Sequence, residues 1–213
     1  MATPTFKDHF SRQSGDYSRY RPGYPPELIA WVASRAPDRA LAVDCATGNG
    51  QAAIALAEHF DAVVAVDGSR AQLERAQPHP GVRYELAVAE HLPVPDASVS
   101  LVAAAQAVHW FDFDRFHAEC RRILKPDGAI AVWTYEKLQA GPAIDGVVDR
   151  YYEGVVGEYW PPERRSWSSV QRFKDAHAGQ DPLPALGSEL ATLWPAGSTL
   201  RLNWPAHLRL GRA

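Results

Sequence analysis

The chain has 213 residues, 46% of them hydrophobic and 22% charged, with a formal net charge of −3, which fits one globular domain with a sizeable buried core. This slightly acidic balance offers no broad electropositive face for a phosphate backbone, so nucleic acid is not an expected partner. No apolar run approaches the roughly 20 residues that span a bilayer, and residues 1–10 lack an apolar signal region, so the expectation is no membrane association and a cytoplasmic location.

The opening segment, residues 10–26, mixes Tyr17, Tyr20 and Tyr24 with Arg12, Arg19 and Arg21 and is stiffened by Pro22, Pro25 and Pro26. It reads as an ordered arm. Leu28, Ile29, Trp31 and Val32 predict a helix started by the proline pair and closed near Pro37. A first strand from Leu41 ends in Asp44, and Ala53, Leu56, Ala57 and Phe60 follow at helical spacing. A second strand over 62–66 ends in Asp67, and a short helix over 69–76 has Ser69 as its expected N-cap. Third and fourth strands are predicted over 82–88 and 99–105, the latter reached through the turn Pro95-Asp96-Ala97-Ser98. Phe113, Phe116, Cys120, Ile123 and Leu124 mark a helix that stops at the turn Lys125-Pro126-Asp127-Gly128, before a fifth strand over 129–135. Ile144, Val147, Val148, Tyr151 and Val155 make a further amphipathic helix, with Asp145, Asp149 and Glu153 on its solvated face. A helix over 168–177 follows a stretch rich in Trp, Pro and Arg. Two alternating segments, 199–204 and 207–210, close the chain as a hairpin. Strands alternating with helices at this rhythm predict an α/β fold, a Rossmann-like doubly wound sheet, mostly parallel with a C-terminal antiparallel hairpin strand. Cys45, expected in a loop, and Cys120, expected in a helix, read as reduced thiols and give no metal-ligand spacing, so no metal is expected.

The most informative stretch, residues 41–50, reads Leu-Ala-Val-Asp-Cys-Ala-Thr-Gly-Asn-Gly. Gly48 and Gly50 let a bound molecule lie close to the backbone. In an open α/β sheet ligands sit beyond the carboxyl ends of the strands, where Asp67, after the second strand, can accept hydrogen bonds from a ribose. An adenosine-containing cofactor follows. The dinucleotide fingerprint Gly-x-Gly-x-x-Gly is not matched, and a carboxylate at Asp44 would repel a pyrophosphate while suiting an ammonium or sulfonium charge.

In these features the chain resembles the class I S-adenosylmethionine-dependent methyltransferases, in particular the type-11 domain group that includes trans-aconitate methyltransferase-like proteins. The resemblance is carried in order by Tyr20-Arg21-Pro22-Gly23-Tyr24-Pro25, residues 44–50, Asp67-Gly68-Ser69, Ala89-Glu90-His91-Leu92-Pro93, Gln106-Ala107-Val108-His109-Trp110-Phe111 and Arg122-Ile123-Leu124-Lys125-Pro126-Asp127-Gly128. It implies S-adenosylmethionine as cofactor. Asp44, Ala46, Gly48 and Gly50 would line its methionine and ribose, Asp67 would take the ribose hydroxyls, and Ser69 would lie near the adenosine. Ala89 and Glu90 would meet the adenine edge, chiefly through backbone groups. Gln106 and His109 would lie near the sulfonium and the incoming nucleophile, and Tyr20, Arg21 and Tyr24 would belong to a lid. Many relatives have Gly in place of Ala46 and an acid in place of Val88, and the family is usually longer between Trp160 and Ser166.

On this reading residues 1–213 form one domain: a lid-forming arm and helix (1–36), a cofactor-binding core (37–136), a shortened helical cap (137–197) and terminal strands (198–213). The expected partner is a small-molecule acceptor, with the oligomeric state left open. An acceptor carboxylate is already ionised and needs no base, and Arg21, Arg164 and Arg165 could clamp it. For a phenol or hydroxyl, His109 is the candidate general base. The alternative is a protein that binds the cofactor without catalysis. An NAD-dependent dehydrogenase has only fold analogy behind it.

Overall fold

The computed structural model describes residues 23–137, 139–159, 176, 179, 180, 183–193 and 205–212. Helix α1 (Pro26–Ala33) begins, as expected, at a proline, whose fixed φ suits a first helical turn. Strands β1 (Leu41–Cys45), β2 (Ala62–Asp67) and β3 (Val82–Leu86) alternate with helices α2 (Gln51–Ala57) and α3 (Arg70–Leu73). Then come β4 (Val99–Ala105), α4 (Phe113–Ile123) and β5 (Leu124–Tyr135), and β6 (Ala206–Arg212) completes the sheet.

The strand order is β3-β2-β1-β4-β5-β6, parallel from β3 to β5 and antiparallel at β6. The doubly wound prediction holds. Having built outward from β1 to β3, the chain returns to lay β4 on the other side of β1, pairing Asp44 with Ala65 on one flank and Ala103 on the other. That reversal makes the carboxyl end of β1 the switch point where this architecture opens a crevice.

Alternation along the strands sorts the core into two layers. Ala42, Val63, Ala65, Leu101, Ala103, Ala105, Ala129, Ala131 and Trp133 face α1 and α2, and Val43, Cys45, Val64, Val66, Val99, Val102 and Ala104 face α4. All seven residues of β4 are buried, which explains why its sequence is apolar throughout except at Ser100, whose hydroxyl donates to the Asp38 carboxylate. Helix α4 is capped by the Asp112 carboxylate, which accepts from the Arg115 N–H at 3.2 Å, and it buries Phe116, Cys120 and Ile123.

Several boundaries differ from expectation. β5 pairs Leu124 with Val99 before Lys125-Pro126-Asp127-Gly128, and pairing resumes at Ala129 opposite Leu101, so the turn motif is a bulge within the strand. Asp127 carries its positive φ of 62°. β3 stops at Leu86, since Val88 bridges back to His91 instead of extending the strand. Cys45 is the last residue of β1, not part of a loop; burial pushes both thiols up, Cys120 to about 12, as expected of inert core cysteines.

The described residues up to Thr134 together with β6 form one compact unit, and the described residues of Tyr135–Pro205 form another. In the second, α5 (Pro142–Asp149) passes into a π-helical turn, Arg150–Val155, so Tyr151 and Val156 are buried and Val155 is exposed. The acidic row on α5 is not simply solvated: Asp145 accepts from the Ala140 N–H at 2.7 Å and Asp149 pairs with Lys137. A helix the sequence did not announce, α6 (Leu183–Leu193), carries Glu189, which pairs with Arg150. The predicted helix over 168–177 and the strand over 199–204 lie outside the described residues, save for helical Ala176. Among the described residues no helix is long and apolar enough to cross a membrane.

The loop before β4 is held to α4 by one buried carboxylate. Glu119 accepts from the Leu92 N–H and from Arg122 Nη2, each at 2.6 Å, and from Arg122 Nε at 2.9 Å. Arg122 also donates to the Val94 and Leu92 carbonyls. The Arg122 guanidinium outweighs burial and holds the Glu119 carboxyl below the ordinary glutamate range. A carboxylate depressed in this way stabilises the fold fully above its unfolded value, and the contribution is lost as pH falls through the folded value. Glu119→Gln should therefore cost about 2 kcal/mol at neutral pH, with the deficit shrinking in acid. Urea unfolding of both proteins at neutral and acidic pH measures it.

Candidate cofactor site at the switch point

Beyond Cys45 the chain turns through three positive φ angles, 54° at Ala46, 60° at Gly48 and 91° at Gly50. Backbone bonds fix the bend: Thr47 donates its N–H to the Val66 carbonyl at 2.9 Å, and Gly50 donates to Thr47 at 3.1 Å. The Asp67 carboxylate, at the end of β2, binds the bend directly. One oxygen accepts from the Gly48 N–H and the other from the Ser69 N–H, both at 2.8 Å. Asp44 accepts from the Thr47 hydroxyl at 2.6 Å. Both acids are nearly inaccessible, Asp44 at 1% exposure and Asp67 at 7%.

The pleat explains why these groups meet. Asp44 follows Ala42 by two residues and Asp67 follows Ala65 by two, so both side chains belong to the α1 and α2 face of the sheet. On β3 the same parity selects Tyr84, and on β5 Trp133. The two glycines serve different purposes. Among the described residues a Cβ on Gly48 would meet nothing within 4 Å, whereas on Gly50 it would lie 2.2 Å from the Tyr84 hydroxyl oxygen. The missing side chain of Gly50 thus admits Tyr84, a contact the sequence reading did not foresee. Tyr84 in turn donates to the Gln77 carbonyl at 2.8 Å, and Gln77 donates to Asn49 at 3.2 Å. Burial, then the nearby Asp44 charge, raises the Tyr84 phenol. Only strand alternation in the sequence could have singled out Tyr84 or Trp133, and Thr47 carried no signal of its own.

The remaining sequence-predicted residues fall in three places. Gln106 leaves β4 at a positive φ of 60°, with its N–H donating to the Trp133 carbonyl at 2.8 Å and its side-chain oxygen accepting from the Thr134 hydroxyl at 2.9 Å. His109 lies in the single turn Val108–Trp110, its ring 4.8 Å from that of Trp110. Ala89 is buried, and the Glu90 carboxylate accepts from the Asp112 N–H at 2.8 Å, tying the β3 exit to the start of α4. Ser69 precedes α3 without a side-chain cap; its N–H on Asp67 fixes it instead. Tyr20, Arg21, Arg164 and Arg165 lie outside the described residues.

Two acids and an open glycine at the switch point suit a ligand bearing hydroxyls and positive charge. Each Asp67 oxygen keeps acceptor capacity after its backbone bond, and Asp44 attracts a cation in a place shielded from water. The fold and this bend define a Rossmann-like protein of the nucleoside-cofactor class.

The family profile described as a methyltransferase domain matches residues 43–132, which hold the bend, both acids and β1 to β5. A methyltransferase of Dictyostelium discoideum is 37% identical over 170 residues, 78% of this chain and 65% of its own. One of Mycobacterium bovis is 39% identical over 169 residues, covering 78% and 68%. A solved type II methyltransferase from Anaeromyxobacter dehalogenans superimposes with a TM-score of 0.81 at 37% identity, over 91% of this chain and 98% of that one. The chain spans about two thirds of the length of these two curated relatives. It belongs to the class I S-adenosylmethionine-dependent methyltransferase family.

The bend makes two opposite demands testable. Ala46 holds a left-handed conformation that disfavours a Cβ, so Ala46→Gly should raise stability by about 0.5 to 1 kcal/mol. Gly50→Ala adds strain and the Tyr84 clash and should cost more than about 2 kcal/mol. Thermal unfolding of both variants reads the signs.

Proposed function

We propose that the chain binds S-adenosylmethionine at this bend and transfers its methyl group to a small-molecule acceptor. The observation that carries the reading is the Asp67 carboxylate bonded at 2.8 Å to the Gly48 N–H, which sets an acid from β2 against the glycine bend after β1. When bound, the cofactor supplies a methyl group activated on a sulfonium leaving group. Asp67 would accept the ribose hydroxyls, beside Ser69, and Asp44 would face the positively charged end. Ala46, Gly48 and Gly50 would form the floor, and Ala89 and Glu90 the adenine side.

In-line displacement asks the protein for alignment and the exclusion of water more than for proton transfer. Gln106, fixed by Trp133 and Thr134 at the end of β4, and His109 in the following turn would border the reacting end. An acceptor carboxylate of the trans-aconitate kind needs no base, and Arg21, Arg164 and Arg165 are the candidate clamps for it. With a phenol or hydroxyl acceptor, His109 would take the proton.

Calorimetric titration with S-adenosylhomocysteine should give saturable binding, weakened at least about tenfold by Asp67→Ala, since hydrogen bonds to a charged acceptor contribute about 1.5–3 kcal/mol each. Absence of binding by the wild-type chain would overturn the reading.

A further inference from the structure

Two shielded polar atoms in the layer that carries Asp44 and Asp67 have no hydrogen-bond partner among the described residues: Trp133 Nε1 and Gln51 Oε1. Trp133 is 2% exposed, and the Tyr24 ring packs against it edge-on at 5.5 Å. It pairs with Ala105, two residues beyond Ala103, the partner of Asp44, so it stands past the level of the Asp44 carboxylate at the carboxyl edge. Gln51 opens α2 directly after Gly50, and its neighbours Ala52 and Ala53 pack in the same layer as Trp133.

A buried donor without an acceptor costs stability, about 1–3 kcal/mol. A phenylalanine would fill most of the space without that cost, so the indole N–H points to a partner that arrives from outside. The indole is a donor only, and the amide oxygen is an acceptor only. One of each suits a ligand end that carries an acceptor and a donor together, as the amino-acid end of the cofactor does. The Asp44 charge, next to the bend, draws the cation to the Gln51 side and leaves the anion to β5, two strands from β1.

We infer that Trp133 Nε1 and Gln51 Oε1 hold the zwitterionic amino-acid end of the cofactor, the indole N–H donating to its carboxylate and the amide carbonyl accepting from its ammonium. This rests on the reading that the chain binds S-adenosylmethionine.

The test compares S-adenosylhomocysteine with 5′-methylthioadenosine, which keeps the adenosine and the sulfur but lacks the amino-acid end, by calorimetry on the full chain. Wild type should prefer S-adenosylhomocysteine. Trp133→Phe and Gln51→Met should each weaken it roughly tenfold and leave 5′-methylthioadenosine within about twofold, whereas a merely structural role would weaken both ligands together. An unchanged ratio in the variants overturns the inference, and if Trp133→Phe does not fold, Gln51→Met decides alone. Equal affinity of wild type for the two ligands sinks this inference only, whereas binding of neither sinks the cofactor reading as well.

Discussion

The Asp67 carboxylate is the fixture on which the site depends. β1 and β2 are parallel neighbours whose chains leave the sheet side by side, and each exit needs its backbone N–H groups satisfied away from water. One carboxylate serves both, through Gly48 on the first exit and Ser69 on the second. Charge-assisted bonds of this kind are short and strong, and they hold a bend that includes a left-handed alanine. Without them the bend would keep only its neutral backbone bonds, from Thr47 to Val66, Gly50 to Thr47 and Gln77 to Asn49, and the Thr47 hydroxyl on Asp44.

Around that fixture the sheet divides labour between its faces. On the α4 side the layer is branched and aromatic, with Val43, Val64, Val66, Val102, Phe116 and Ile123. The other layer is lined with Ala42, Ala65, Ala103, Ala105, Ala129 and Ala131. Small residues let α1 and α2 lie close to the strands, which brings the start of α2, and with it the bend, down onto the sheet edge. Tyr84, Asp67, Asp44 and Trp133 share that face because each sits in phase with those small residues.

Much of this was legible in the sequence. Strand runs ending in Asp44 and Asp67, and a Gly-x-Gly bend between strand and helix, are local signals that tertiary packing had no reason to override. What escaped was set by non-local contacts. Lys125-Pro126-Asp127-Gly128 reads as a terminator, yet Leu124 already pairs with Val99 and the motif becomes a bulge. Tyr84 over Gly50 depends on β3 being two strands from β1 and in a given register, which no single-chain pattern states. Ser69 stands at the N-cap position of α3 as expected, but its hydroxyl makes no cap bond, and what fixes it is its N–H on the Asp67 carboxylate, a contact between two strand exits. The π-helical turn at Arg150–Val155 likewise carries an ordinary amphipathic sequence, and its widened hydrogen bonding moves burial from Val155 to Val156.

The strain in the molecule has a pattern that follows from the architecture. Of the four non-glycine residues at positive φ among the described residues, Ala46 and Gln106 stand at the carboxyl ends of adjacent strands β1 and β4. A left-handed L-residue is unfavourable by about 1 kcal/mol or more, and it persists only where surrounding contacts over-determine it. At Ala46 those contacts come from the bend bound to Asp67 and Val66; at Gln106 they come from Trp133 and Thr134 on β5. Both strained residues therefore turn the chain out of the sheet at the switch point, and each is held by the strand next door. Rigid parallel strands thus supply what a precise site needs: backbone conformations too costly for a loop alone, fixed by neighbours that packing has already immobilised.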